Sequence, residues 1–188
     1  MKYMTVMKMK QIIGSVLCAG MLFLAQIPLF NTAGAQTIKI PGTASSLALT
    51  EGSWSYLRTF QLDDGADVYV YYYSKTTILS RDGDTVLPCL RIYVNKKYTG
   101  DLTGLVFQRY MAQPYQSLQE YQRGPGLPKS GGFGYLGAYT NPTEGKDYGL
   151  LMTYFKSGTA FVELRLETTA DTFEMMREEF NKVLSTVK

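Results

Sequence analysis

Residues 160–184 read AFVELRLETTADTFEMMREEFNKVL, and the period of their apolar positions changes halfway along. From Ala160 to Glu167 the period is two. Val162, Leu164 and Leu166 alternate with Glu163, Arg165 and Glu167, the pattern of a strand with an apolar inner face and a charged outer one. From Asp171 the period is that of a helix: Phe173, Met176, Phe180, Val183, Leu184 and Val187 fall on one stripe. Asp171 followed by Glu174 has the spacing of a capping box and predicts the helix start. Such a stripe belongs in a core, so the chain is expected to end in a strand feeding a helix that lies on a sheet.

Working towards the N-terminus, the same alternation recurs. FGYLGAY (133–139) and YGLLMTYF (148–155) read as strands, with turns at Asn141-Pro142, Glu144-Gly145 and Ser157-Gly158. TVLPCLRIYV (85–94) sets Leu90, Ile92 and Val94 against Cys89, Arg91 and Tyr93, and Pro88, which has no amide proton, suggests an edge position or a bulge. DVYVYYYSKTTIL (67–79) places Val68, Val70 and Tyr72 on one face and Tyr69, Tyr71 and Tyr73 on the other. Asp63-Asp64-Gly65 and Asp82-Gly83 are hairpin turns, since Asp-Gly supplies the positive-φ positions that tight turns need. Between the two groups of strands, Thr103 to about Arg123 reads as helical, interrupted at Pro114, with a capping box from Ser117 to Glu120 and a stop at Gly124-Pro125. The expected architecture is α+β: an antiparallel sheet with two main helices, running β-meander, helix, three strands, C-terminal helix.

The first 35 residues are of a different kind. Lys2, Lys8 and Lys10 precede a mostly apolar run from Ile12 to Phe30, and Ala33-Gly34-Ala35 offers a signal-peptidase site before Gln36. The expected organisation is a signal peptide over 1–35, an N-terminal extension over 36–46 and a single α+β domain over 47–188. Export to the periplasm or the exterior follows, with no stable membrane span after cleavage. Lipidation at Cys18 is disfavoured by the bulky Leu17 before it. Retention of the long apolar run as a membrane anchor is the open alternative to cleavage, weighed against by Gln26, Pro28 and the Ala-x-Ala site.

Removing the leader takes three of the 19 basic residues and leaves 16 against 16 acidic ones, so the mature chain is formally neutral. Without a cluster of Lys and Arg it lacks the electrostatic footprint of a nucleic-acid binder. Cys89 is the mature chain's single cysteine, which excludes an intramolecular disulfide. A lone cysteine in an apolar strand is expected to act as a small hydrophobe. Histidine is absent from the sequence, which removes Ser-His-Asp and Cys-His catalysis and the usual zinc sets. Asp63-Asp64 and Asp82/Asp84 are explained by turn geometry and do not continue into a calcium loop.

RGPGLPKSGGFGY (123–135) invites comparison with a phosphate-binding loop. It lacks the glycine before the lysine, Pro125 and Pro128 remove amide donors, and a helix is expected before the loop and a strand after it, the reverse of the phosphate-binding order. It is read as a connector, and no cofactor is expected.

The opening SLALTEGSW (46–54), the order of the elements and the closing 160–184 segment resemble the PsbP-like fold, shared by exported proteins of the DcrB type. Thr50 stands where proline is usual, and Ser53 is extra before Trp54. The resemblance implies an accessory or binding module of an envelope or a photosystem, without a common catalytic apparatus, and transfers no functional residue. The expected function is therefore an exported, non-catalytic protein that binds an unknown protein or small ligand in the bacterial cell envelope. Its expected contact surface is Tyr69, Tyr71, Tyr73, Lys129, Phe133 and Tyr135, because tyrosine suits contacts that are both apolar and polar. Two other classes stay open: an envelope inhibitor or immunity protein, and an enzyme of unfamiliar type using carboxylates or Cys89.

Overall fold

Strong β-formers separated by Asp-Gly, Asn-Pro and Ser-Gly pairs become hairpins throughout the chain. The computed structural model describes residues 35–113, 115–121 and 131–188. Its elements are, in order, β1 (Ala35–Lys39), β2 (Ser46–Thr50), β3 (Trp54–Gln61), β4 (Asp67–Tyr73), β5 (Ile78–Leu79), β6 (Thr85–Val86), β7 (Cys89–Asn95), α1 (Leu102–Met111), β8 (Tyr115–Tyr121), β9 (Gly132–Thr140), β10 (Asp147–Ser157), β11 (Ala160–Thr169) and α2 (Ala170–Ser185). Seven strands form an antiparallel sheet in the order β3-β4-β7-β11-β10-β9-β8, flanked by the hairpins β1-β2 and β5-β6. Gly65 takes φ 80° in the β3-β4 turn, a conformation closed to most other residues. The α+β class and the two helices are as the sequence implies.

One sheet face carries Leu90, Ile92, Val94, Leu151, Phe155, Val162, Leu164 and Leu166, all buried. The α2 stripe of Phe173, Met176, Phe180, Val183 and Leu184 closes over it, with Trp54 and Phe180 rings 6.3 Å apart. The β1-β2 hairpin completes this layer through Ile40, Leu47 and Leu49, and Ser46 and Lys188 exchange both backbone hydrogen bonds at 2.9 and 3.1 Å. The 36–46 stretch is thus folded onto the core: Gln36 pairs with Leu49 and Ile40 is fully buried.

Four expectations need correction. The segment 115–121 is strand, not a continuation of the helix; α1 stops at Met111, and Ser117 to Glu120 pair with β9 instead of capping a helix. Pro88 does not mark an edge, because β7 lies between β4 and β11. The proline stands just ahead of the first ladder residue, in the break after β6, so no ladder donor is lost, and its carbonyl accepts from Tyr73 N at 2.8 Å. The cap of α2 is Thr169, not Asp171, because β11 runs into the helix without a gap. Thr172 Oγ1 donates to the Thr169 carbonyl at 3.2 Å, and Asp171 accepts from Arg81 N at 2.5 Å, tying the β5-β6 hairpin to the helix start. Finally, Glu163, Arg165 and Glu167 alternate as expected but do not face water: their relative exposures are 2%, 4% and 2%.

Candidate functional site

The charged face of β11 is roofed. On the face opposite α2, rows of side chains run across the sheet: Val68, Tyr93, Glu163, Tyr154 and Phe133 in one, Val70, Arg91, Arg165, Met152 and Tyr135 in the next. Helix α1 lies over part of this face. Asp101 caps it by accepting from Gly104 N at 2.7 Å, Leu105 is its one fully buried side chain, and Leu102 and Val106 pack on the cluster of Tyr139, Leu150, Met152 and Tyr154.

Glu163, Arg165 and Glu167 are buried, and Arg91, Arg109 and Asp64 reach them or their partners from more exposed positions. Arg165 donates to Glu163 Oε1 from Nε at 3.1 Å and from Nη2 at 2.8 Å, and also reaches the Tyr115 hydroxyl at 3.1 Å. Arg109, on α1, stands 3.4 Å from the other Glu163 oxygen and 3.0 Å from Asp64. Arg91 pairs with Glu167 at 2.6 Å, and Tyr139 donates to the second Glu167 oxygen at 3.2 Å. The guanidiniums of Arg109 and Arg165 both lie over the Tyr93 ring, at 5.5 and 5.4 Å. Arg91 and Arg165 are cross-strand neighbours, an unfavourable juxtaposition that the two glutamates offset. The set is closed and formally neutral, which suits holding α1 against the sheet better than proton transfer.

The tyrosines around it are kept protonated. Burial pushes the Tyr115 hydroxyl up to about 12, with Arg165 opposing and Glu163 reinforcing the shift. Tyr154 and Tyr139 are driven up as well, chiefly by burial, then by Glu163 and Glu167 respectively. At the far end, Cys89 lines a cleft of about 290 Å³ with Arg91, Glu144, Lys146, Tyr148 and Glu167. Burial pushes its thiol up to about 11, outweighing the lowering influence of Arg91, and the thiol donates to the Leu87 carbonyl at 3.2 Å. Such a thiol is a poor nucleophile near neutral pH.

A second concavity opens where α1 meets the edge strand β8. This groove has a volume of about 410 Å³ and is lined by Phe107, Tyr110, Tyr115 and Tyr135, by Val106 and Leu118, and by small polar side chains. Phe107, Tyr110 and Met111 are exposed by 64%, 47% and 67%, so α1 is apolar on its outer side as well as its inner one.

The residues expected to form one contact surface are divided. Tyr69, Tyr71 and Tyr73 lie half-buried on the α2 face of β4, against the main core, where Tyr71 meets Tyr56 edge-on at 5.5 Å and Tyr73 meets Trp54 at 5.6 Å. Phe133 and Tyr135 are half-buried on the opposite face, packed on the Tyr139 and Tyr154 cluster. Lys129 and the connector over 122–130 lie outside the described residues. Among the groove residues only Tyr135 was expected as a contact. For Phe107 and Tyr110, GLVFQRYM (104–111) carried an unused signal, since its apolar residues exceed what one buried stripe requires; Tyr115 and Leu118 carried none.

Against solved structures, the solution structure of cyanobacterial PsbP (CyanoP) from Synechocystis sp. PCC 6803 superposes with a TM-score of 0.51 at 12% identity, over 88% of this chain and 98% of that one. The fold is PsbP-like. A crystal structure of a protein of unknown function from Pseudomonas aeruginosa matches with a TM-score of 0.45 at 11% identity, over 81% of this chain and 94% of that one. No family model matches the chain, and no curated protein matches it. The PsbP-like sheet accounts for the order of elements, with the α1 groove and the paired charges lying on its face opposite α2.

Proposed function

We propose that this chain is an exported, non-catalytic binding domain whose contact site is the groove between α1 and β8. The observation that carries the reading is the contrast between two sets of side chains on one sheet face. Glu163, Arg165 and Glu167 there are buried and paired, whereas the rings of Phe107 and Tyr110 stand in water beside a concavity of ligand size. The high thiol pKa of Cys89 and the absence of histidine from the sequence weigh against a nucleophilic or acid–base role. The basic start, apolar run and Ala33-Gly34-Ala35 of the leader support export, and among the described residues no helix is long and apolar enough to cross a membrane.

A photoreactive amino acid at Phe107 tests this in cells that express the protein. Intact-mass analysis of the exported material is expected to reveal a discrete adduct, of protein or small-ligand mass, that is missing when the probe replaces Glu178 on the exposed side of α2. Equal labelling at both positions, or no adduct at Phe107, overturns the reading.

A further inference from the structure

The chemistry of the groove is unusual in what it combines. Four aromatic rings line it, and among the described residues no formally charged side chain does. Tyr110 and Tyr115 stack at 6.0 Å with their planes 23° apart, while Tyr135 is braced edge-on against Tyr154 at 6.0 Å. The amide of Gln116, one of the few polar groups on the wall, is already engaged with Thr140 Oγ1. The guanidinium of Arg165, which bonds the Tyr115 hydroxyl from beneath, is offset by Glu163.

Ring faces carry negative potential, so the wall attracts cations and repels anions. Glu120 adds to that sign at the mouth: it faces Tyr135 across the β8-β9 ladder, and after burial its charge is the next cause that raises the Tyr135 hydroxyl pKa. A metal ion would find no carboxylate among the described lining residues, and a primary ammonium only neutral hydroxyl and amide oxygens in place of its hydration. A fully methylated ammonium has little hydration to lose and presents a surface that packs against rings.

We propose that the α1-β8 groove binds a quaternary ammonium group, a trimethylammonium carried by a small soluble molecule. The proposal rests on the reading of this groove as a contact site and adds the chemistry of what enters it. The same fold already places guanidinium cations over the Tyr93 ring, so the cation–aromatic geometry is native to this face.

The test uses choline as the probe, titrated into the mature protein while the ring resonances of Phe107 and Tyr110 are followed by NMR. Saturable shifts with a dissociation constant on the order of 1 mM are expected, because the groove is open and its contacts are few. The neutral alcohol in which a tert-butyl group replaces trimethylammonium matches choline in shape and is expected to give no saturable shift. Phe107→Leu with Tyr110→Leu keeps apolar volume and alters two exposed side chains, so the fold survives while choline binding weakens by about tenfold or more. Glu120→Gln is expected to weaken it by a smaller factor. A parallel arm sediments the protein with phosphatidylcholine and with phosphatidylglycerol vesicles. Choline binding without retention by either vesicle is expected; selective retention by the former, together with choline binding, overturns the soluble source and assigns the group to a lipid headgroup.

Equal affinity for choline and its neutral counterpart overturns the proposal, as do undiminished shifts in the double variant or no saturable shift with choline. Failure with choline alongside a discrete adduct at position 107 removes this ligand class and leaves the binding reading intact. Failure of both removes both.

Discussion

Arg165 illustrates how one side chain can be settled by neighbours distant in sequence. It sits almost fully buried on β11, bonded twice to Glu163 and once to Tyr115, with Tyr93 beneath its plane. The pair to Glu163 raises its pKa against the pull of burial, so it stays charged. Buried ion pairs add little net stability, yet removing one partner leaves the other uncompensated. Arg165→Met is therefore expected to cost about 3–5 kcal/mol in urea-induced unfolding, and a loss below about 1 kcal/mol, the scale of an exposed pair, would show that water reaches Glu163. Cys89 gives a second residue-scale expectation. Its thiol pKa is raised from 9.0 to about 11 in the folded state, so the folded protein holds this proton more tightly than the unfolded chain. The associated stability is fully present below about pH 9 and is lost as pH climbs towards about 11. Disulfide reagents should label the native protein near pH 8 more slowly than a model thiol, and Cys89→Ser should remove the alkaline loss assigned to this group. Labelling at the rate of a free thiol would overturn the assignment.

At the scale of elements, α1 and the edge strand β8 are the parts that make the groove. Asp101 is the N-cap of α1, and Asp101→Ala should cost about 1 kcal/mol and speed hydrogen exchange at amides of 102–111 well before those of β10 and β11. Unchanged exchange in α1 would mean that packing alone holds it. The other helix is fixed by a close approach: a Cβ on Gly149 would come within 2.5 Å of the Phe173 ring carbon Cγ. Gly149→Ala is expected to shift α2 off the sheet and destabilise by about 1–3 kcal/mol, read as a lower thermal midpoint with altered Trp54 fluorescence, since Trp54 donates to Glu179 of α2 at 3.0 Å. The strand β8 shows why local signals mislead at an edge. SLQEYQR has good helix formers and capping-box spacing, but β9 offers a row of unpaired amides and carbonyls, and pairing them outweighs a propensity worth a few tenths of a kcal/mol per residue.

For the whole molecule, the cleavage site proposed from the sequence falls at the first residues of β1. Cleavage before Gln36 would remove one ladder residue, Ala35, and keep the pairs from Gln36↔Leu49 to Lys39↔Ser46. Intact-mass analysis of exported protein is expected to give a chain that starts at Gln36; a mass matching the full chain, or a lipid adduct at Cys18, would overturn export by cleavage. Much of the architecture was legible because it depends on short-range pattern. Asp-Gly turns, the alternation along β4, β7, β9, β10 and β11, and the stripe of α2 are each set by backbone geometry and by which side chains avoid water, both written in a window of a few residues. What covers a face is not written there. The charged side of β11 pointed away from Val162, Leu164 and Leu166 as its alternation required, but whether that side met water depended on α1, Tyr93, Tyr139 and Tyr154 arriving from elsewhere in the chain. In the same way, Tyr69, Tyr71 and Tyr73 were divided from Tyr135 because strand order, not composition, assigned them to opposite faces. Periodicity by itself determined β4, β7, β9, β10, β11, the turns and α2; only the tertiary structure decided that 115–121 is a strand, where α1 ended, which charges were buried and which rings came to line a groove, because each of those depends on contacts between residues far apart in the chain.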